Sequence, residues 1–316
     1  MNWKKKAMVQ RVCARLPFAK EPMYYYLQRF FGNLRELPDP WWYLDWTSRF
    51  AESLHQAGHH IAGARVMEVG SGHGLQIPLG FFLCGAESIA TYDLHRYLKD
   101  WIVSGTVQKL LADRQRVFRV LGEVADAKDV GRRLQLLSEC HGVTELFRTA
   151  KIHYLAPADA SKTTSPDQSI DIHISNNVLE HISPVALKAI LLEAARVLKS
   201  TGVALHLVCP SDHFSDDRSI LPINFLQFPD EEWDRLADNP FAYHNRLRAS
   251  DYQKLFEESG HEILNWKPSI DPDSLTAIQA GFPIAPRFHG KSVEDLCTIL
   301  IQALSRPNTQ VQAAAD

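Results

Sequence analysis

Three glycines at alternate positions, preceded by a glutamate, form the pattern with the clearest chemical meaning. The segment Glu68-Val-Gly-Ser-Gly-His-Gly74 places Gly70, Gly72 and Gly74 directly after the apolar run 65–69. Alternate glycines let the chain turn tightly and bring backbone N–H groups close to a ligand. The GxGxG spacing differs from the GxGxxG of dinucleotide-binding proteins, and no GK[ST] follows as in a P-loop. Glu68 would repel a pyrophosphate, but it suits a ligand that carries an ammonium or sulfonium group.

A second carboxylate follows the next predicted strand. Asp93 lies 19 residues after Gly74, at the end of Ser88-Ile-Ala-Thr-Tyr-Asp93. A carboxylate at that place can accept hydrogen bonds from both hydroxyls of a ribose. The loop and the two acids therefore favour S-adenosylmethionine over NAD as cofactor. A nicotinamide-dependent reductase stays open as the alternative enzyme.

Strand and helix patterns alternate along the chain and must position these residues. Short apolar runs bounded by glycine or polar residues predict seven strands, over 65–69, 88–93, 151–155, 170–175, 202–209, 261–266 and 298–304. Helical patterns are predicted over 47–60, 74–84 and 184–199, through the charged stretch 95–149, and from Ser250 to Gly260. This alternation indicates a parallel sheet that is covered by helices on both faces.

Five segments in order resemble the class I, Rossmann-like, S-adenosylmethionine-dependent methyltransferases. The resemblance covers about residues 60–210 and 246–305. The matching segments are the glycine loop 68–74, Thr91-Tyr-Asp93, Ala158-Asp159-Ala160, Asp171-Ile-His-Ile-Ser-Asn-Asn-Val-Leu-Glu-His-Ile182 and Glu193-Ala-Ala-Arg-Val-Leu-Lys-Ser-Thr-Gly202. The resemblance implies a doubly wound α/β fold with a seven-stranded, mostly parallel sheet whose last strand is antiparallel.

The same resemblance implies roles for the residues of these segments. It places Glu68, Gly70, Gly72 and Gly74 around the methionine moiety of the cofactor and Asp93 on the ribose. It places Asp159 near the adenine amino group, and Asn176 in the loop that faces the methyl group. Because motifs indicate binding and not turnover, a non-catalytic methyltransferase-like binding protein stays open as a further alternative.

The domain organisation departs from the family in length. We expect a helical N-terminal cap over 1–46, a methyltransferase domain over 47–306 and a disordered tail over 307–316. The domain carries two additions, the helical insertion 95–149 and a polar, proline-containing insertion 210–249. In the family such insertions commonly cover the acceptor site, so 210–249 is predicted to be a substrate lid.

Three segments of this chain, 211–214, 224–226 and 244–248, are similar to bacterial methyltransferases encoded among glycan-assembly genes. This similarity implies an acceptor that is a small molecule or glycan, methylated on oxygen. A hydroxyl acceptor benefits from a general base, for which histidine is well suited. The candidate bases are His213 and His181, with His244 as a third possibility.

Tyr243, Arg246 and Arg248 are the candidate acceptor-binding residues. Guanidinium groups pair well with phosphorylated or carboxylated sugars. The alternative for the two arginines is a structural role, in which salt bridges steady the loop before the helix at Ser250.

Composition excludes several function classes. The formal charge of −3, from 34 Lys and Arg against 37 Asp and Glu, shows no basic field for nucleic acid. The five cysteines form no CxxC pair, so neither a zinc ribbon nor a disulfide scaffold is expected. We expect the protein to occupy a reducing, cytoplasmic setting. His55, His59 and His60 lack an HExxH pattern and an obvious third ligand, so no metal site is expected.

The N-terminal segment is basic and amphipathic. The sequence contains no run of 18 apolar residues, so no membrane span is predicted. Polar residues such as Gln10 and Arg11 interrupt the apolar core that a signal peptide would need, so secretion is not expected. The apolar residues are Met8, Val9, Val12, Cys13 and Leu16. This helix either packs on the domain as a cap or contacts a membrane surface or partner. The sequence does not predict an oligomeric state.

Overall fold

A seven-stranded sheet forms the centre of the computed structural model, which describes residues 3–14, 20–31, 34–215, 219–237 and 243–308. The strands are β1 (Arg65–Val69), β2 (Ser88–Tyr92), β3 (Ile152–Leu155), β4 (Ile170–Asn176), β5 (Leu198–Val208), β6 (His261–Ile270) and β7 (Thr298–Pro307). Their order is β3-β2-β1-β4-β5-β7-β6. The first five pair in parallel, and β7 is antiparallel to both of its neighbours. The predicted fold class and antiparallel last strand are therefore confirmed.

Thirteen helices within the described residues surround the sheet. They are α1 (Trp3–Ala14), α2 (Lys20–Phe31), α3 (Pro40–Gln56), α4 (Gln76–Leu83), α5 (Asp100–Ala112), α6 (Arg114–Leu121), α7 (Ala127–Ser138), α8 (Val143–Ala150), α9 (Pro184–Val197), α10 (Asp230–Leu236), α11 (Ala249–Glu258), α12 (Pro272–Gln279) and α13 (Val293–Cys297). Short 3₁₀ turns occur at Leu179–His181, Asn224–Gln227 and Pro286–Phe288.

Helix α3 begins earlier than the helix predicted over 47–60. The Asp39 side chain caps it by accepting a hydrogen bond from the Trp41 N–H, and Pro40 occupies the first helical position, where its fixed φ favours a start. The predicted boundary between residues 46 and 47 therefore falls inside a continuous helix. Leu44 and Phe50, on either side of that boundary, pack in the same core as the sheet.

The predicted helical insertion 95–149 consists of the four helices α5–α8. Their buried residues Val103, Val117, Leu134 and Leu146 belong to the same hydrophobic cluster as β1 and α4. These helices are thus part of the main core, and they connect β2 to β3 across one face of the sheet.

The N-terminal helix α1 packs on the insertion 210–249. Trp3 lies with its ring centroid 5.6 Å from that of Phe214 and 6.3 Å from that of Trp233, inside a second hydrophobic cluster. Met8, Val9 and Val12 are exposed whereas Cys13 is buried, so only part of the apolar side predicted from sequence packs on the domain. In the part of the chain described here, no helix has both the length and the apolar character needed to cross a bilayer.

The C-terminal boundary also shifts. Strand β7 continues to Pro307, and the Asn308 N–H donates to the Gly260 carbonyl at 2.7 Å, so the ordered domain passes the predicted limit at 306. The remainder of the predicted tail, 309–316, lies outside the described residues, as do 216–218 and 238–242 of the insertion.

Candidate cofactor and acceptor site

The glycine loop leaves the carboxyl end of β1 and curls over the neighbouring strand β2. The Gly70 N–H donates to the Tyr92 carbonyl at 2.8 Å, and both Gly70 and Gly72 have positive φ, 79° and 62°. A Cβ on Gly70 would lie 2.7 Å from the Val178 side chain, whereas one on Gly72 would meet nothing within 4 Å. Gly70 is thus required by packing, and Gly72 borders open space that a ligand can enter.

Glu68 holds this loop against β2. Its buried Oε2 accepts hydrogen bonds from Ser71 Oγ at 2.5 Å and from Thr91 Oγ1 at 2.6 Å. Burial raises the pKa of Glu68, while the two hydroxyl donors act to lower it. The structure therefore gives Glu68 a positioning role that the sequence pattern did not predict.

Asp93 lies at the end of β2 beside the loop, and its side chain fits a ribose. Burial and the neighbouring Glu68 raise the pKa of Asp93 to about 7, although backbone N–H groups of Gly72 and Ser71 and the Tyr154 hydroxyl act to lower it. Its buried Oδ2 has no hydrogen-bonding partner among the described residues. A ligand hydroxyl would satisfy this oxygen, so Asp93 and the space over Gly72 fit the nucleoside of S-adenosylmethionine.

The loop after β3 comes next to Asp93. The Ala158 N–H donates to the Asp93 carbonyl at 2.9 Å, which brings Asp159 to the same end of the sheet. Asp159 is exposed, and its Oδ1 accepts from the N–H and hydroxyl of Ser161 at 2.8 and 2.7 Å. These hydrogen bonds lower the pKa of Asp159, so it is ionised at neutral pH.

The loop after β4 links the glycine loop to the insertion. Asn176 ends the strand, and its buried Oδ1 has no partner among the described residues. Two residues later Val178 packs on Gly70, and the 3₁₀ turn Leu179–His181 follows. Within that turn Glu180 is fully buried, and burial raises its pKa to about 8.

Three histidines from distant segments meet beside Glu180. The ring centroids of His181 and His213 are 4.6 Å apart, those of His213 and His244 are 4.8 Å apart, and those of His181 and His244 are 6.4 Å apart. We call His181, His213 and His244 the histidine cluster. Asn245 holds it together, because its N–H donates to the Glu180 carbonyl at 2.9 Å.

The histidine cluster is neutral at physiological pH. Burial is the main cause that lowers each pKa, to about 3 for His213 and well below the ordinary value for His244. Proximity among the three rings, and to Lys6 for His213, lowers these values further. The pKa of His181 is also lowered by burial, partly offset by its bond to the Tyr243 carbonyl. The sequence predicted His213 and His181 separately, and the structure brings them together.

Arg246 and Arg248 point their guanidinium groups at the backbone. Both are buried, and Arg248 donates to the carbonyls of Pro210, Asp295, Leu296 and Thr298. Arg246 donates to the Phe225 and Phe228 carbonyls and pairs with Asp230 at 3.2 Å. These contacts favour the structural alternative for both arginines over binding of an acceptor.

The N-terminal cap covers the glycine loop. The ring of Tyr25 in α2 lies 6.4 Å from that of His73, and the Tyr25 hydroxyl accepts a hydrogen bond from Trp101 Nε1 at 3.0 Å. The Lys99 ammonium lies 4.4 Å from the centroid of Tyr25, over the ring. Sequence reasoning missed Tyr25, His73 and Tyr154, because no motif marks an aromatic residue that reaches a loop from another segment.

The family model of a methyltransferase domain matches residues 42–265, well over half of the chain. The chain belongs to this methyltransferase family. The match covers the glycine loop, Asp93, Asp159, Asn176 and the histidine cluster. This methyltransferase uses S-adenosylmethionine as its cofactor, as the sequence predicted, and the alternative of a nicotinamide-dependent reductase is set aside.

Several solved structures are similar to this methyltransferase at low sequence identity. The PH0226 protein from Pyrococcus horikoshii OT3 is 13% identical, with 90% of this chain and 98% of that chain covered and a TM-score of 0.45. A magnesium protoporphyrin IX methyltransferase from Synechocystis PCC 6803 with bound SAH is 12% identical, with 92% and 96% covered and a TM-score of 0.45. An S-adenosylmethionine-dependent methyltransferase from Clostridium acetobutylicum is 12% identical, with 91% and 98% covered and a TM-score of 0.44. Among curated proteins, none matches the chain.

Proposed function

We propose that this methyltransferase methylates a hydroxyl oxygen of a sugar or related small-molecule acceptor. The observation that carries the proposal is the histidine cluster, which lies at the carboxyl end of the sheet, where open α/β sheets bind ligands. The loop after β4 joins that cluster to the glycine loop through Val178. A hydroxyl held at the cluster would thus lie on the acceptor side of the cofactor site.

The cofactor is held by the residues at the ends of β1 to β4. We assign the ribose hydroxyls to Asp93, whose Oδ2 lacks a partner among the described residues. We propose that the cofactor occupies the open space over Gly72. Asp159 is assigned to the adenine amino group and Asn176 to the side of the methyl group. When bound, S-adenosylmethionine supplies a methyl group that is electrophilic because its sulfur is positively charged. Glu68 contributes by fixing the loop, as do the packed Gly70 and Gly74.

The histidine cluster would receive the proton that the acceptor hydroxyl loses as its oxygen bonds to the methyl group. Neutral imidazoles can accept a proton, and His213 and His181 are the candidates for this role. Because burial lowers the pKa of His213 to about 3, His213 is a weak base, and we favour His181. Tyr243 is adjacent, since its carbonyl lies 2.9 Å from His181 Nδ1, and we retain it as an acceptor contact. We assign Arg246 and Arg248 to supporting the loop that carries His244.

A glycan acceptor is favoured by the resemblance of segments 211–214, 224–226 and 244–248 to methyltransferases of glycan assembly. The structure adds that these segments are neighbours: Asn224 Nδ2 donates to Asp212 Oδ2 at 2.8 Å, and the Phe225 and His244 rings are 5.5 Å apart. The five cysteines are free, which fits a cytoplasmic enzyme.

The test is methyl transfer from radiolabelled S-adenosylmethionine to a panel of nucleotide sugars, free sugars, phenols and amines. We expect label in a sugar or other hydroxyl compound, with the methylated atom located by NMR. At subsaturating S-adenosylmethionine, Asp93→Asn should lower transfer about 30- to 150-fold, as a loss of about 2–3 kcal/mol in cofactor binding implies. The exposed control Glu257→Gln should match the wild type. Transfer to an amine or carbon acceptor alone would contradict the proposal. Cofactor binding without turnover on any acceptor would favour the non-catalytic alternative.

We also propose that the N-terminal cap contacts an anionic membrane surface. Helices α1 and α2 expose Met8, Val12, Tyr26 and Phe30 to between 57% and 61%, and Lys5 is exposed on α1. Apolar side chains next to lysine suit the boundary between headgroups and acyl chains. Sedimentation with phosphatidylserine-containing vesicles should capture the protein, and Met8→Ser with Val12→Ser should release it. Equal binding of both proteins would contradict this contact.

A further inference from the structure

Glu180, His181 and His213 together have the composition of a metal site. One potential ligand atom from each lies within 4.8 Å of those of the other two. Ligand atoms bound at about 2.1 Å around one divalent ion are about 3–4 Å apart, so modest side-chain rotations would complete such a site. The three residues come from two loops at the carboxyl ends of β4 and β5, which fixes them on a rigid sheet.

Two carboxylate oxygens of this group are poorly satisfied. Glu180 is fully buried, and neither of its carboxylate oxygens has a hydrogen-bonding partner of good geometry among the described residues, although the backbone N–H groups of Glu180 and Cys209 lie close enough to act to lower its pKa. His244 Nε2 is also buried without such a partner. An unsatisfied buried carboxyl group is costly, and a bound cation is one of the few ligands that would satisfy both of its oxygens.

The two imidazoles are oriented as metal ligands usually are. His181 Nδ1 lies 2.9 Å from the Tyr243 carbonyl, so it carries the proton and leaves the lone pair of Nε2 free. His213 makes a hydrogen bond to the backbone of Cys209. Metal-ligating histidines commonly donate their second N–H to a backbone carbonyl, which fixes the tautomer and the ring orientation.

We propose that Glu180, His181 and His213 bind a divalent transition-metal ion at the acceptor side of the cofactor site. Two imidazoles and one carboxylate suit Zn²⁺, Co²⁺ or Ni²⁺ better than Mg²⁺ or Ca²⁺, which prefer oxygen ligands alone. The sequence did not indicate this site, because His181 and His213 are 32 residues apart and belong to no ligand motif. The proposal replaces the expectation of a metal-free enzyme.

The role of the ion rests on the proposed function. With the ion bound, His181 and His213 serve as its ligands in place of the proton-accepting role proposed above. The open coordination positions would hold an acceptor hydroxyl, which would lose its proton more readily. His244 stays outside the ligand set, because its Nδ1 accepts the Arg246 N–H at 3.2 Å and its proton is therefore on Nε2.

The test is metal binding by protein expressed without a histidine tag and dialysed against a chelator. Calorimetric titration with Zn²⁺ should show stoichiometric binding, and Co²⁺ should develop visible absorption. Each of Glu180→Gln, His181→Ala and His213→Ala should weaken Zn²⁺ binding at least about 100-fold. The matched control is His153→Ala, an exposed histidine on β3, which should bind as the wild type does.

These measurements test metal binding directly and do not depend on the methyl-transfer activity. His181 is the most exposed of the three ligands, so its variant should fold even if Glu180→Gln does not. No stoichiometric Zn²⁺ binding, or equal binding by the wild type and the His181→Ala protein, would overturn the metal site. Binding of S-adenosylmethionine is measured in parallel without metal. If it persists while Zn²⁺ fails to bind, the proposed methyl transfer stands and the histidine cluster acts without an ion.

Discussion

Asp93 should oppose folding and support cofactor binding, so one substitution is expected to change the two in opposite directions. The pKa of this buried carboxyl rises from its ordinary 3.8 to about 7, because burial and Glu68 disfavour its charge. Between these two pH values the unfolded chain is ionised at Asp93, whereas the folded protein keeps the proton. Stability is therefore lost as pH rises, by up to about 1.4 kcal/mol per pH unit, and the loss stops above about pH 7.

Asp93→Asn removes this penalty with nearly the same shape. At pH 8 the full cost is about 4 kcal/mol, whereas at pH 5 only about 1.6 kcal/mol has accumulated. Urea unfolding should show that the variant's gain in stability is larger at pH 8 than at pH 5, by about 2–3 kcal/mol. The surface variant Glu257→Gln should show no such difference.

Cofactor affinity should move the other way. An ionised Asp93 can accept both ribose hydroxyls, and its loss should cost about 2–3 kcal/mol of binding to S-adenosylmethionine. In the wild type, the affinity for S-adenosylmethionine should decrease as pH falls below about 7, because Asp93 of the free protein takes up a proton. The decrease should approach tenfold per pH unit. Titration calorimetry at pH 6, 7 and 8 measures both effects. A dissociation constant that is independent of pH, or unchanged in Asp93→Asn, would refute the assignment.

Three further predictions concern the loop, the buried arginine and the buried histidines. Gly72→Val should fold but fail to bind S-adenosylmethionine in calorimetry, because its side chain would occupy the open space that we assign to the cofactor. The control Gly58→Val, at a similar positive φ of 80° and also with nothing within 4 Å of an added Cβ, should lose comparable stability without losing affinity. Arg248→Met should lower the free energy of unfolding by about 3–5 kcal/mol while cofactor affinity holds, and an unchanged melting temperature with a raised acceptor KM would instead restore the acceptor role. Burial lowers the pKa of His173 to about 3 and holds that of His206 well below its ordinary value, so the unfolded chain gains protons first as pH falls below about 6.5. Stability should thus fall by up to about 1.4 kcal/mol per pH unit for each, and His206→Gln should make urea unfolding less pH-dependent.

The sequence predicted the sheet well because its strands are short apolar runs ended by turn residues. β1 was predicted with its observed bounds, and β2, β3 and β4 to within one residue at each end. Buried parallel strands produce such runs, since both of their faces are covered. Helix starts were less predictable: at α3 the cap Asp39 and Pro40 decided the start, while the apolar pattern suggested one seven residues later.

The histidine cluster could be predicted from the sequence only as separate residues. His181, His213 and His244 each stood out as a possible base, yet nothing in their spacing indicates that three segments converge. Convergence depends on Asn245, whose Nδ2 donates to the carbonyls of Leu179 and Ile182 and so joins the loop before α11 to the turn after β4. A single asparagine between two polar residues carries no such signal in the sequence.

The N-terminal cap and the insertion 210–249 act as one cover over both halves of the site. Trp3 of α1 packs with Phe214 and Trp233 of the insertion, while Tyr25 of α2 lies over His73 of the glycine loop. The family match begins at residue 42 and so leaves out both helices. The family match therefore includes the cofactor loops and the histidine cluster, whereas α1 and α2 lie outside it. Because Phe214 directly follows His213, the packing of Trp3 against Phe214 bears on the position of the histidine cluster.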